Sequence, residues 1–172
     1  MKSGSENESN VCNDWEGWLD QHSPGLLLYA RQQTRSEADA QDVLQEAIVE
    51  IWQRQDRGDL PSPALVYATI RRRAIDLARS RTRRETREAG VAADALVVWF
   101  DPSPESREWA RLIEESMRAL PEYYREVVTL KIWGGLTFAE IATTLDIPAN
   151  TAASRYRYGI EALKENTKGA LS

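Results

Sequence analysis

The sequence contains a single cysteine, Cys12, and a single histidine, His22, in 172 residues. One thiol cannot close an internal disulfide, and one cysteine with one histidine cannot assemble a zinc cluster. A Ser/His/Asp or Cys/His mechanism would need His22 as its base, yet "LDQHSPG" reads as a helix end rather than a supported pocket. Glycine is also scarce. There is no P-loop and no G-x-G-x-x-G, and the adjacent Gly134 and Gly135 fall between helical patterns instead of after a strand. No apolar run approaches the roughly 20 residues that span a bilayer. The opening "MKSGSENESN" lacks the apolar stretch of a secretory signal. These absences argue against nucleophilic and nucleotide-dependent catalysis, against a metal, cofactor or small-molecule substrate, and against membrane insertion. They predict a reduced, cytoplasmic setting.

What is present is helical. A hydrophobic content of 42%, a charged content of 28% and six tryptophans fit a folded chain. Helical periodicity prevails, and only the short "ALVVWF" at 95–100 resembles strand alternation. Pro24-Gly25, Gly58 with Pro61 and Pro63, Pro102 with Pro104, Pro121, Gly134-Gly135 and Pro148 punctuate the pattern. The expectation is an all-α protein of two small helical domains, 12–87 and 107–172, joined by a linker at 88–106. Lobes this small have thin cores and lean on a partner. Val97, Val98, Trp99 and Phe100 make the linker too apolar to be idle, so it docks on something.

The net charge of -5 is sorted along the chain. Residues 1–63 carry five basic against twelve acidic side chains, whereas residues 64–88 carry eight against three. In "SEADAQDVLQEAIVEIWQR", Ser36 and Asp39 mark a helix start, and Leu44, Ala47, Ile48 and Ile51 form a buried stripe. Asp42, Gln45, Glu46, Val49 and Gln53 repeat on another face, which is either a solvated surface or a dock for a basic helical partner.

The stretch "ALVYATIRRRAIDLARSRTRRE", 64–85, reads as one long helix with Val66, Tyr67, Ile70, Ala74, Leu77 and Ala78 inward. Arg71, Arg72, Arg73, Asp76, Arg79 and Arg83 lie on its other faces, widened by Arg81, Arg84 and Arg87. Planar guanidinium groups grip phosphate oxygens bidentately and stack on unpaired bases, and counterion release favours such contacts. Tyr67 and Trp52 are either stacking platforms or core. Only Asp76, Glu85 and Glu88 are near enough in sequence to neutralise the arginines, which favours nucleic-acid contact.

After Pro121, "EYYREVVTLKIW" forms a helix, and "LTFAEIATTLDIPANTAASRYRYGIEALKE" has the pattern of a helix-turn-helix. Thr137 and Glu140 have capping-box spacing. In the second helix Ala152, Tyr156, Gly159, Ile160 and Leu163 face inward. Asn150, Thr151, Ser154, Arg157 and Tyr158 face outward, where Arg157 suits guanine edges, Asn150 adenine, and the others phosphates.

The order and spacing of these motifs resemble a bacterial sigma factor of the extracytoplasmic-function (ECF) type, over about residues 15–168. "AQDVLQEAIVEIW" is similar to the helix that docks on core RNA polymerase. "YATIRRRAIDLARSR" is similar to the helices that melt and read the promoter element near -10. "ALPEYYREVVTLKIWGGLTFAEIATTLDIPANTAASRYR" is similar to the domain that reads the element near -35. The resemblance implies polymerase binding by Asp42, Gln45 and Glu46, contact of the arginine helix with the -10 DNA, and -35 contact by Thr151, Ser154, Arg157 and Tyr158; their place in the same patterns adds Val49 to the polymerase set and Tyr67 and Asn150 to the DNA set. It also implies a linker that threads toward the RNA exit path, an anti-sigma partner and no enzymatic activity. The chain departs from the usual pattern at Arg72, where the family favours asparagine, at Leu65, where it favours tryptophan, and at Ala153, where a basic residue is common. The alternatives are a helix-turn-helix regulator that does not load polymerase and, more distantly, a hydrolase using Glu46 and Glu50.

Overall fold

The computed structural model describes residues 5–55, 59–87 and 96–171. Residues 88–95 of the expected linker, Gly58 and the Cys12 side chain lie outside them. The described residues form seven α-helices, one 3-10 turn and no strand. "LVVWF", 96–100, has no regular structure.

Helix α1 spans Ser5–Gln33 and runs straight through Pro24. The expected break at Pro24-Gly25 is therefore absent, and His22 sits inside a helix, its ring 4.5 Å from that of Trp18. Proline forfeits a helical hydrogen bond, but Leu26, Tyr29 and Ala30 just beyond it are wholly buried, which offsets the loss. Gly25 answers a separate need. A Cβ there would lie 2.6 Å from the Tyr67 hydroxyl and 2.7 Å from the Trp133 carbonyl oxygen, so only glycine admits both neighbours.

Helix α2, Glu37–Arg54, starts where Ser36 accepts the Asp39 N–H at 3.1 Å. Helix α3, Pro63–Arg87, has proline at its first position, where the missing N–H costs nothing. A 3-10 turn at Pro104–Ser106 leads into α4, Arg107–Arg118, which is followed by α5, Glu122–Ile132. Helix α6, Phe138–Leu145, opens on the expected capping box: Glu140 N–H donates to Thr137 Oγ1 at 3.2 Å, and Thr137 N–H to Glu140 Oε2 at 2.7 Å. Asp146 then turns the chain in the left-handed region, φ 54°, into α7, Ala149–Leu171.

Helices α1, α2 and α3 pack on one another, as do α4, α5 and α6 on α7. The two groups are not separate bodies. Helix α3 also packs on α6, and α1 on α5, so Leu26, Tyr67 and Ile70 share one buried cluster with Val127, Leu130, Ile141 and Ala152. Each half is the partner on which the other leans.

The linker also docks within the chain. Trp99 is 5% exposed, packed with Leu28, Met117, Leu120 and Val128, beneath the Arg118 guanidinium at 3.9 Å. Its backbone N–H donates to Glu114 Oε2 at 3.1 Å, and Arg118 donates to the Val97 carbonyl. The buried Arg31 ties this strap to α1 and α2, donating to the Trp99 carbonyl at 3.1 Å, to Asp101 at 2.8 Å and twice to Glu37.

Candidate functional site

Three surfaces carry the residues singled out from the sequence. On α2, Asp42, Gln45, Glu46 and Val49 are exposed along one face, with Val49 46% exposed. The buried face is Ala40, Val43, Ala47 and Ile51, and it includes one charged residue, Glu50.

Glu50 faces α3. Its carboxylate, only 9% exposed, accepts from Arg72 Nη2 at 2.6 Å and Arg73 Nε at 2.9 Å, and lies 2.9 Å from Arg54 Nη1. Glu46 pairs with Arg73 at 2.6 Å. Burial alone would raise the Glu50 pKa, but the hydrogen bonds from Arg73 and Arg72, with the charges of Arg72 and Arg54, outweigh it and hold the carboxyl below its ordinary range. A carboxylate so held is a poor general acid.

The arginines of α3 fall into two groups. Arg71 donates to Glu126 of α5 at 3.1 Å, Arg72 and Arg73 pair with Glu50, and Arg81 pairs with Asp39 at 2.6 Å. The expectation that only sequence neighbours neutralise them is thus corrected: carboxylates of α2 and α5 do so across helix interfaces. Arg79, Arg83, Arg84 and Arg87 stay exposed, with no carboxylate partner among the described residues, and Asp76 is exposed beside them.

Tyr67 is a second correction. It is 1% exposed and meets Tyr29 edge-on at 5.4 Å, so in this arrangement no base reaches it. Trp52 is half exposed, against Trp15 at 4.9 Å. The buried Glu126 joins the halves, accepting from Tyr29 Oη at 3.0 Å as well as from Arg71. Burial and the Glu126 charge push the Tyr29 pKa well up.

On α7, Asn150, Ser154, Arg157 and Tyr158 are exposed and Thr151 is half buried, while Ala152 and Gly159 face the core. Gly159 permits the crossing with α5, since a Cβ there would meet Val128 Cγ2 at 2.8 Å. Arg157 donates to the Tyr158 hydroxyl at 3.0 Å, and the Ser154 hydroxyl donates to the Asn150 carbonyl at 2.8 Å. Sequence reasoning passed over Arg155, which lies over the Tyr123 ring at 5.4 Å. Its position two residues before Arg157 was the available signal. Glu126 and the pairing of Glu50 with α3 carry no local signal, since their partners lie 55 and 22 residues away.

Comparison with known proteins now decides the family. The Sigma-70 region 2 model matches residues 18–84, and the Sigma-70 region 4 model matches 110–163. The chain is 30% identical over 153 residues to the ECF RNA polymerase sigma factor SigL of Mycobacterium tuberculosis, covering 84% of each. It belongs to the ECF sigma factors. SigK of a Mycobacterium species is 28% identical over 131 residues, covering 73% of this sigma factor and 68% of the relative. In fold it is similar to the sigma factor RpoE of Bartonella quintana, solved with the anti-sigma factor NepR, at a TM-score of 0.72 and 21% identity, covering 90% of this chain and 97% of that one. Among the described residues, no helix is long and apolar enough to cross a membrane.

Proposed function

We propose that this sigma factor binds core RNA polymerase through Asp42, Gln45, Glu46 and Val49 and directs it to promoters with two units, 12–87 and 107–172, joined by the linker 88–106. The basic face of α3, with Arg79 and Arg83 already open, holds and unstacks the -10 element. Asn150, Thr151, Ser154, Arg157 and Tyr158 of α7 enter the major groove at -35. The observation that carries this reading is the juxtaposition of an exposed acidic and amide face on α2 with an open run of arginines on α3. An anti-sigma protein is the regulator expected of such a chain.

The packed arrangement is then the resting one. By their names the two elements lie about 25 base pairs apart, roughly 85 Å of duplex at 3.4 Å per pair. A compact chain of this length is only about 40 Å across. Reading both elements separates α3 from α6 and α5, and that step releases Arg71 from Glu126 to DNA.

Run-off transcription with purified core polymerase tests the proposal. Asp42→Lys and Val49→Asp are the sharper variants, because neither residue belongs to the Glu46–Arg73–Glu50 network. Each is expected to abolish co-elution with core while leaving the circular dichroism spectrum unchanged. A wild-type chain that binds DNA but neither co-elutes with core nor supports initiation would be the regulator of the alternative reading.

A further inference from the structure

Adjacent arginines on α3 meet different fates at Glu50. Arg73 is fully engaged: Nε and Nη2 bind Glu50 Oε2 at 2.9 and 2.6 Å, and Nη1 binds Glu46 at 2.6 Å. Arg72 gives Glu50 only its Nη2, at 2.6 Å, and its side chain remains 53% exposed. Its other guanidinium N–H groups have no acceptor among the described residues. A lone surface arginine samples many rotamers and loses that freedom on binding. Arg72 is already restrained at one end by Glu50.

The groove between α2 and α3, about 480 Å³, keeps a positive surplus despite this pairing. Its α2 wall includes Gln45, Glu46 and Val49 of the proposed polymerase dock together with Glu50 and Arg54, and its α3 rim is Arg72 and Arg73. The N–H groups that Arg72 offers at the α3 rim are directed by its contact with Glu50. Fixed, paired donors are what distinguish one base edge from another, whereas mobile charge holds any phosphate equally.

We propose that Glu50 is a positioning residue for promoter recognition: it holds Arg72 as an oriented fork, and so sets the preference for one base of the -10 element. Glu50 itself does not touch DNA. The inference rests on the reading of α3 as the -10 helix.

The test uses full-length protein in complex with core polymerase, and a fork-junction DNA whose single-stranded non-template overhang is randomised over six positions. Retained DNA is sequenced and total retention measured in parallel. Wild-type holoenzyme is expected to show a roughly 10- to 100-fold preference at one position, the range of a good arginine contact to a base. Arg72→Ala flattens that position. Glu50→Gln, which keeps the shape and removes the charge, flattens the same position to within about threefold of no preference. Its total retention and core affinity change much less, and the double variant adds nothing further. A Glu50→Gln profile identical to wild type, or one flattened evenly at all positions, would overturn the proposal.

Should Glu50→Gln fail to fold, Glu50→Asp keeps the charge but withdraws it by one methylene. Weakening of the Arg72 position is then expected, and an unchanged profile refutes the positioning role. Wild-type holoenzyme that forms but shows a flat profile also refutes it, while polymerase docking stands. A chain that does not bind core at all overturns the reading beneath it as well.

Discussion

Replacing Glu126 by alanine removes a buried carboxylate of α5 that binds both α1 and α3. Tyr29 Oη and Arg71 Nε converge on Glu126 Oε1 at 3.0 and 3.1 Å, and the Glu126 residue is 6% exposed. The Tyr29 hydroxyl, fully buried, loses its acceptor, which costs about 1–3 kcal/mol. Breaking a buried ion pair from one side typically costs about 3–5 kcal/mol. Arg71, however, is a third exposed and can turn its charge to water, so most of that second cost is avoided. The expected loss is about 2–4 kcal/mol, a factor of roughly 30 to 700 in the folded ratio. Glu126→Gln still offers Tyr29 an amide oxygen and should lose only about 1 kcal/mol. Urea unfolding followed by tryptophan fluorescence measures both. An alanine variant within about 0.5 kcal/mol of wild type, or equal losses for the two variants, would refute a carboxylate clasp between the halves.

Gly25→Ala adds helix propensity worth about 1 kcal/mol but drives a methyl against the Tyr67 hydroxyl and the Trp133 carbonyl. With neither neighbour free to move, the thermal midpoint should fall, and a rise would mean the approach of α1 to α3 and α5 is looser than described. Trp99→Ala empties a site beneath Arg118 and should cost about 3–5 kcal/mol. Chymotrypsin should then cut the linker at Leu96 or Phe100 faster than in wild type, and an unchanged rate would show that Trp99 does not hold the strap. Burial raises the pKa of Tyr67, and burial with the Glu126 charge raises that of Tyr29, so both stay neutral in the fold above the ordinary value of 10.0. Their contribution is complete below about pH 10 and is lost as pH rises beyond it, because the unfolded chain ionises first. Absorbance near 295 nm should show part of the six-tyrosine signal appearing only together with loss of helical circular dichroism. Smooth titration of all six before unfolding would contradict that burial.

The parts of the fold legible in the sequence are those that local chemistry decides. Ser36 with Asp39, and Thr137 with Glu140, announce helix starts because a side-chain oxygen and an orphan N–H lie three residues apart. The outward set on α7 follows from periodicity alone. Pro24-Gly25 misleads because its meaning is tertiary: the glycine serves the approach of two other helices, and the buried residues beyond the proline sustain the helix. Tyr67 satisfies both an inward stripe and an aromatic platform, and only the presence of Tyr29 and α5 decides for the core. The arginine partners were out of view for a simple reason. Glu50, Glu46, Asp39 and Glu126 lie 22 to 55 residues from the arginines they bind, beyond any local count of charge.

The core shared by the two halves has a consequence for how activity can be tuned. On the proposed reading only the parted form binds polymerase and promoter together, so the packing free energy between the halves lowers apparent affinity tenfold for every ~1.4 kcal/mol it contributes. Ile141, wholly buried in that shared core, is on neither proposed binding face. Trimming it to valine removes about 0.5–1.5 kcal/mol, and the part of that loss borne by the contact with α3 would make the protein more active as it becomes less stable. Variation at such hidden positions can reset the threshold at which this sigma factor responds while leaving its promoters unchanged.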